Sequence, residues 1–382
     1  MRNYTTCILL LASTLAFGSC EQLDTAAVQK IIDNDRALYN IPAVQLSIRC
    51  SDDNKSYDFV SGKVTLEGEE AVTSEHLFQI GSQTKSFVAV ILLQLEAEGR
   101  LSLKDHLGKS LPNIAPSWRE ITIEQLLNHT SGLYNYTDEL SARIRSDKDY
   151  DLQKEWTADE LLAIAEKYPA YFKPGQGWHY SNTNYVLAGM IIEAITGNPV
   201  KEELENRLFV PLSLYKTAYI NNVYNPETMQ QMAHGYSANG LFPTDPTDVT
   251  AISPSWANSA GAIVSTSADT ASWVKQLSHG NVLPVAQLLE FTQLVDENTG
   301  LPVSASSEVH GYGMGVRHDF TTFGSEAWWH SGSTLGYTSL MIWLKNSDVV
   351  ITANLSHVGE TTKNGRDSNV LVNDVIRLME QD

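Results

Sequence analysis

The stretch Phe78-Gln-Ile-Gly-Ser-Gln-Thr-Lys-Ser-Phe87, running on through Val-Ala-Val-Ile-Leu-Leu-Gln-Leu-Glu-Ala97, sets how the rest of the chain is read. Ser86 to Ala97 is strongly apolar and stops at Gly99, the pattern of a helix closed by a C-terminal glycine. Gln94 and Glu96 interrupt it, and it is far too short to span a bilayer. Ser82 sits where this helix begins, and Lys85 follows three residues later. On a helix that spacing puts both side chains on one face, about 5–6 Å apart at Cβ. A serine hydroxyl is a poor nucleophile without a neighbouring base. A lysine can serve only where burial or nearby positive charge lowers its pKa. The helix start also aims N–H groups at a developing oxyanion. Serine, lysine and helix start together make a coherent acyl-transfer device. The plainer reading is an N-cap serine followed by a solvated lysine. The same spacing recurs at Ser213–Lys216 and Ser272–Lys275, but only Ser82 follows a glycine and leads into a long apolar helix.

Outward from this segment, residues 24–39 read as a helix with Val28, Ile31, Ile32 and Leu38 on one face. Ala43 to Arg49 and Tyr57 to Val64 alternate like strands and are parted by the turn cluster Ser51-Asp-Asp-Asn54, a β-hairpin pattern. From about 100 to 250 the period is helical, clearest at Ile123–Leu127, Ala158–Lys167 and Tyr185–Thr196. Strand patterns return at Gly336–Leu344 and Val349–Leu355, and an amphipathic helix follows at Val370–Met379. The expected fold class is therefore α/β (α+β). An antiparallel sheet built from 24–98 and 255–382 is flanked by helices, and a mainly helical domain, 99–254, is inserted in it.

Composition removes several classes of function. The 382 residues carry 26 basic and 45 acidic side chains, a formal net charge of -19. Such a surface repels phosphate backbones, so nucleic acid is not an expected partner. Three cysteines are too few for a disulfide scaffold. No CxxC, HExxH, GxSxG or phosphate-loop pattern is present, so no metal or cofactor is expected. Residues 1–20 read as a signal peptide: Arg2, an apolar run Cys7–Phe17, then Gly18, Ser19 and Cys20. The end resembles a lipobox, which would make Cys20 an acylated N-terminus and attach the chain to a membrane. Cleavage after Gly18 and plain secretion is the alternative. With Cys20 acylated, Cys50 is a buried free thiol; otherwise a Cys20–Cys50 disulfide is open.

Three further segments carry polar groups suited to a site. Tyr180-Ser-Asn182 precedes a helix, and a phenol can pass protons if positive charge lowers its pKa. His330-Ser-Gly332 leads into a strand, where glycine would let a substrate backbone lie alongside. Gly311-Tyr-Gly-Met-Gly315 reads as a strand with close backbone approach.

The order Ser82-x-x-Lys85, Tyr180-x-Asn182, His330-x-Gly332 resembles the penicillin-recognising serine hydrolases. Within them it is most similar to D-alanyl-D-alanine carboxypeptidases whose third motif begins with histidine, kin of the class C β-lactamases. Leu126-Leu-Asn-His-Thr-Ser-Gly-Leu133, Trp256-Ala-Asn-Ser-Ala-Gly261 and Gly311-Tyr-Gly-Met-Gly-Val-Arg317 share the likeness, which covers about residues 25 to 380. It implies a β-lactamase/DD-peptidase-like fold and an exported enzyme that forms an acyl-enzyme at Ser82. Lys85 would activate the serine, directly or through Tyr180, and Tyr180 would return a proton to the leaving amine. Asn182 would contact the substrate amide, the N–H groups of Ser82 and Ser333 would hold the oxyanion, and His330 would tune the cluster. Ser331 and Arg317 would hold the carboxylate of a D-Ala-D-Ala terminus beside Gly332, with Trp256 as a pocket wall. β-Lactams would acylate the same serine. The sister activities, β-lactamase, esterase and D-amino-acid amidase, stay open, and His-Ser-Gly in place of Lys-Thr-Gly counts against an efficient class C β-lactamase.

Overall fold

The computed structural model describes residues 20, 23–51, 55–147, 151–242, 244–305, 310–359 and 367–380. The signal-peptide reading of residues 1–19 and the turn at 52–54 lie outside them.

Nine antiparallel strands form the main sheet. In chain order they are β1 (Ala43–Arg49), β2 (Ser56–Gly62), β3 (Leu294–Asp296), β4 (Pro302–Val303), β5 (Gly311–Tyr312), β6 (Arg317–Asp319), β7 (Ala327–Ser333), β8 (Thr338–Leu344) and β9 (Val349–Leu355). Their spatial order is β2-β1-β9-β8-β7-β6-β5-β3-β4. The two ends of the chain thus meet at the β1–β9 seam, where Val44 faces Leu355 and Ile48 faces Ile351. Side-chain alternation explains why this sheet is covered on both faces. Leu340, Ile342 and Leu344 pack in one cluster with Val28, Ile32, Leu371 and Val375, from helices α1 (Thr25–Leu38) and α5 (Ser368–Met379). Met341, one step out of phase, joins the opposite cluster with α2 (Thr84–Ala97), α3 (Asn182–Thr196) and α4 (Ser267–Ser278). Each such Leu or Ile fully buried contributes roughly 1.5–3 kcal/mol.

Helix α2 is the axis of that second cluster. All its residues from Thr84 to Leu93 are buried, which is why its sequence is apolar on nearly every side. Shorter helices surround it. Two of them, Ile123–Leu127 and Ala158–Ala165, open with full capping boxes, Thr122 with Gln125 and Thr157 with Glu160. Helix α3 ends at Gly197, whose φ of 79° lets the chain leave in the left-handed conformation. No described helix is long and apolar enough to cross a membrane.

The N-terminal end of the described chain is pinned to the sheet. Cys20 and Cys50 form a disulfide, and both are buried in the cluster under α1 and α5. This corrects the expectation of acylation at Cys20, because the sulfur that would carry the lipid is bonded to Cys50. The spacing of the two cysteines left both outcomes open; burial of Cys20 beside Cys50 is what the sequence did not reveal.

Candidate active site

Ser82 lies in the single 3₁₀ turn Gly81–Gln83 that feeds α2, and Lys85 points back at it from the first turn of that helix. The Lys85 Nζ is 3.1 Å from Ser82 Oγ, 2.7 Å from Asn182 Oδ1 and 2.8 Å from the carbonyl oxygen of Ala260. All these partners are neutral, and the side chain is fully buried. Burial alone therefore drives the lysine pKa well below its ordinary value. A neutral amine has two N–H donors and one lone pair. Asn182 and Ala260 accept the two donors, which leaves the lone pair for the Ser82 hydroxyl. The other two Ser-x-x-Lys pairs make no such arrangement: Lys216 pairs with Glu75 at 3.2 Å, and Ser272 donates to the carbonyl of Ala268 at 3.0 Å.

Tyr180 stands on the other side of the serine. Its ring lies 4.8 Å from Lys85 Nζ. Among the described residues its hydroxyl is buried with no hydrogen bond of ordinary geometry. Burial raises the phenol pKa; the Ser82 hydroxyl and the Arg317 charge oppose that rise without cancelling it. Asn182, at the start of α3, is held at both ends of its amide. Its Oδ1 takes Lys85 and its Nδ2 donates to Thr137 Oγ1 at 3.1 Å. It orients the lysine, and it also lines the cleft.

The third motif is itself strand, not a turn before one. His330, Ser331, Gly332 and Ser333 end β7 and press against the turn that carries Ser82. A Cβ on Gly332 would sit 1.9 Å from the carbonyl oxygen of Ile80, and one on Gly81 would sit 2.8 Å from the amide nitrogen of Ser333. Glycine at both positions lets two backbones touch, and the contact brings the Ser333 N–H next to the Ser82 turn. That is the placement an oxyanion hole requires. His330 is fully enclosed. Its Nδ1 donates to the Ser331 carbonyl at 2.6 Å, so its Nε2 accepts from the Tyr312 hydroxyl at 3.0 Å. Burial, then the charges of Lys85 and Arg317, hold its pKa well below the usual histidine value. It is a neutral, polar neighbour and supplies no positive charge.

Beside these residues lies a cleft of about 270 Å³, lined among others by Thr137, Leu140, Asn182, Trp256, Ser333 and Leu335. Trp256 is thus at the pocket wall, and its carbonyl accepts from the buried Tyr136 hydroxyl at 2.6 Å. Arg317 departs from expectation. Its Nη1 is bonded by both carboxylate oxygens of Glu297, so the guanidinium meant for a substrate carboxylate already holds one.

Two residues given no separate role by the sequence reading also shape the site. His129, in the left-handed conformation at φ 63°, packs against the Tyr180 ring, the ring centres 4.3 Å apart and the planes tilted by 39°. Its Nδ1 accepts from the Ser181 N–H and from Asn184 Nδ2, at 3.2 and 2.9 Å, which fixes the loop bearing Tyr180. Burial again keeps it neutral. Gly315, at φ 81°, lies against the backbone of Lys85; a Cβ there would be 2.8 Å from the Lys85 carbonyl. The glycine-rich run signalled a close approach, but not which backbone it meets. Among the described residues no group of three or more His, Cys, Asp or Glu could hold a metal.

The site thus joins Ser82 to a buried lysine among neutral acceptors, a buried phenol and the backbone of the third motif. The Beta-lactamase family profile matches residues 28–374, and the chain belongs to that family. Penicillin-binding protein 4* of Bacillus subtilis (strain 168) is 30% identical over 182 residues, 47% of this chain and 39% of that protein. Protein flp of Staphylococcus aureus (strain COL) is 26% identical over 353 residues, 90% of this chain and 64% of that protein. The chain therefore spans less than two thirds of the length of these relatives. Among solved structures, a D-stereospecific amidohydrolase from Streptomyces sp. is 31% identical with a TM-score of 0.77, covering 91% of this chain and 97% of that one. D-amino acid amidase from Ochrobactrum anthropi SV3, complexed with D-phenylalanine, is 26% identical with a TM-score of 0.80, covering 93% and 98%. The protein has the β-lactamase fold.

Proposed function

We propose that the chain is an exported enzyme that cleaves amide bonds beside D-configured residues through an acyl-enzyme on Ser82. The observation that carries this reading is Lys85, buried and held by neutral acceptors 3.1 Å from Ser82 Oγ. Neutral Lys85 takes the Ser82 proton as Oγ attacks the carbonyl carbon. The N–H groups of Ser82 and Ser333 stabilise the oxyanion. The tetrahedral adduct collapses, the C–N bond breaks, and the amine leaves with a proton from Tyr180, whose raised pKa keeps it a donor. Tyr180 is reprotonated from Lys85. Water then attacks the ester, its proton passing to the same base, and the acid is released with Ser82 restored.

Two substrate forms of this chemistry are distinguished by one contact. A D-alanyl-D-alanine carboxypeptidase, the form suggested by the penicillin-binding relatives, needs a free cation for the terminal carboxylate. A D-amino-acid amidase does not, and occupation of Arg317 by Glu297 favours it. Export is supported by the leader pattern at residues 1–20 and by the Cys20–Cys50 disulfide, which suits an oxidising compartment. The test is intact-protein mass spectrometry after benzylpenicillin, with D-alanine release from diacetyl-Lys-D-Ala-D-Ala and ammonia release from D-phenylalanine amide in parallel. An adduct at Ser82 with D-alanine release supports the carboxypeptidase; ammonia release supports the amidase. Absence of any adduct and any product refutes both.

A further inference from the structure

We propose that Glu297 is a built-in carboxylate that sets the enzyme's selectivity, excluding substrates with a free carboxylate at the Arg317 position and favouring those with a neutral end. The inference rests on Ser82 being the acylated nucleophile. Arg317 opens β6 and is paired in register with Trp329 on β7, one residue before His330. Its guanidinium lies 5.5–5.7 Å from the rings of Trp178, Tyr312 and Trp329. Tyr312, beside it, bonds His330 at 3.0 Å, so Arg317 lies next to the third motif and not at a remote surface. The family likeness would leave that fork open to a substrate. Here both oxygens of Glu297 are on its Nη1, and the Glu297 charge opposes that of Arg317 at Tyr180.

The occupant is fixed by local structure. Glu297 follows β3 at the tip of the β3–β4 hairpin. Asp296 Oδ1 accepts the N–H of Asn298 and of Thr299 and the Thr299 hydroxyl, at 3.0, 2.8 and 2.9 Å, and so holds the turn. Gly300, at φ 72°, seats the turn on the loop before Trp178; a Cβ there would lie 2.4 Å from the Gly177 carbonyl oxygen. Displacing Glu297 would therefore break two charge-assisted bonds and leave a half-buried carboxylate unpaired. A substrate carboxylate would have to displace it or share the same guanidinium with its negative charge. A carboxamide, an ester or a continuing peptide need not.

The experiment compares consumption of diacetyl-Lys-D-Ala-D-Ala with that of its C-terminal carboxamide, as the ratio of their kcat/KM values. The same two peptides are also tested as protectants of Ser82 against a fluorescent penicillin. The purified wild-type protein is expected to favour the carboxamide by at least about tenfold. E297Q is expected to raise the carboxylate-to-carboxamide ratio by at least about tenfold, and the double variant E297Q/R317Q to abolish that rise. A wild-type preference for the carboxylate overturns the proposal without any variant. So does a ratio in E297Q within twofold of wild type, or a rise that survives loss of Arg317. If neither peptide is consumed and the fluorescent penicillin does not label Ser82, the acyl-enzyme reading itself falls and takes the proposal with it. Consumption with an unchanged ratio sinks only the role of Glu297.

Discussion

Helix α2 carries an ionisable side chain near each end, and a pKa is displaced at each place for a different reason. At its start Lys85 is buried among neutral acceptors, and desolvation alone lowers its pKa. Near its end Glu96 faces Glu290, and the neighbouring carboxylate, with some desolvation, pushes Glu290 up to about 7. The first is an isolated charge that the protein refuses to solvate. The second is a carboxyl whose ionisation a neighbouring carboxylate opposes. Only the first sits beside a nucleophile. The comparison teaches that a perturbed pKa marks chemistry when a reacting atom lies within reach, and a fold contact when none does.

The largest expected effect comes from deleting the active end. K85A should slow acylation by benzylpenicillin by about 10²–10⁴-fold, read as adduct growth by mass spectrometry. K85R should not rescue it, because a guanidinium stays protonated. In the wild type the acylation rate should fall as pH drops through the lowered Lys85 pKa, and loss of that limb in K85A would confirm the base. Y180F should follow in size. It should cut amide turnover by about 10²-fold and activated-ester turnover far less, since only an amine leaving group needs the phenol's proton. Equal losses on both substrates would remove Tyr180 as the donor.

A smaller effect should come from the backbone that supports the helix start. G315A places a methyl at φ 81° against the Lys85 carbonyl and should cost at least about 1–3 kcal/mol of stability, measured by denaturant unfolding. The smallest should come from the far end. Glu290 is raised from 4.5 to about 7 on folding, so its stabilising contribution is full below pH 4.5 and lost as pH climbs through 7. His129 and His330 act in the opposite direction. Their lowered folded-state values contribute stability above pH 6.5 that is lost as pH falls. The difference in melting temperature between wild type and E290Q isolates the carboxyl pair: it should favour wild type more at pH 5 than at pH 8. A flat difference would mean Glu290 is not displaced by its neighbour.

What was legible in the sequence was what local spacing encodes. Ser82 and Lys85 are three residues apart, and the strand alternation at Ala43–Arg49 and Val349–Leu355 matches the observed elements. The strand Ala327–Ser333 was harder, because Ser331, Gly332 and Ser333 serve the site and break the apolar alternation that reveals strands. Asp296-Glu-Asn-Thr-Gly300 has the composition of a solvated turn. Nothing in it says that Glu297 meets Arg317, since that contact depends on how a hairpin docks twenty residues away. His129 lay in a quoted segment, but its role follows from a left-handed backbone that no residue type signals. Cys20 was legible only as alternatives, which burial beside Cys50 resolved.

The backbone contact between Gly332 and Ile80 has a bearing on how this protein can be redesigned. Since a Cβ at Gly332 would fall 1.9 Å from an oxygen, a mutational library that varies it fills with unfolded members. The rim positions Trp256 and Leu335 carry no such restriction, because they line the cleft. A search for new specificities is best confined to the rim, where diversity reshapes the pocket while the acylating centre is inherited intact.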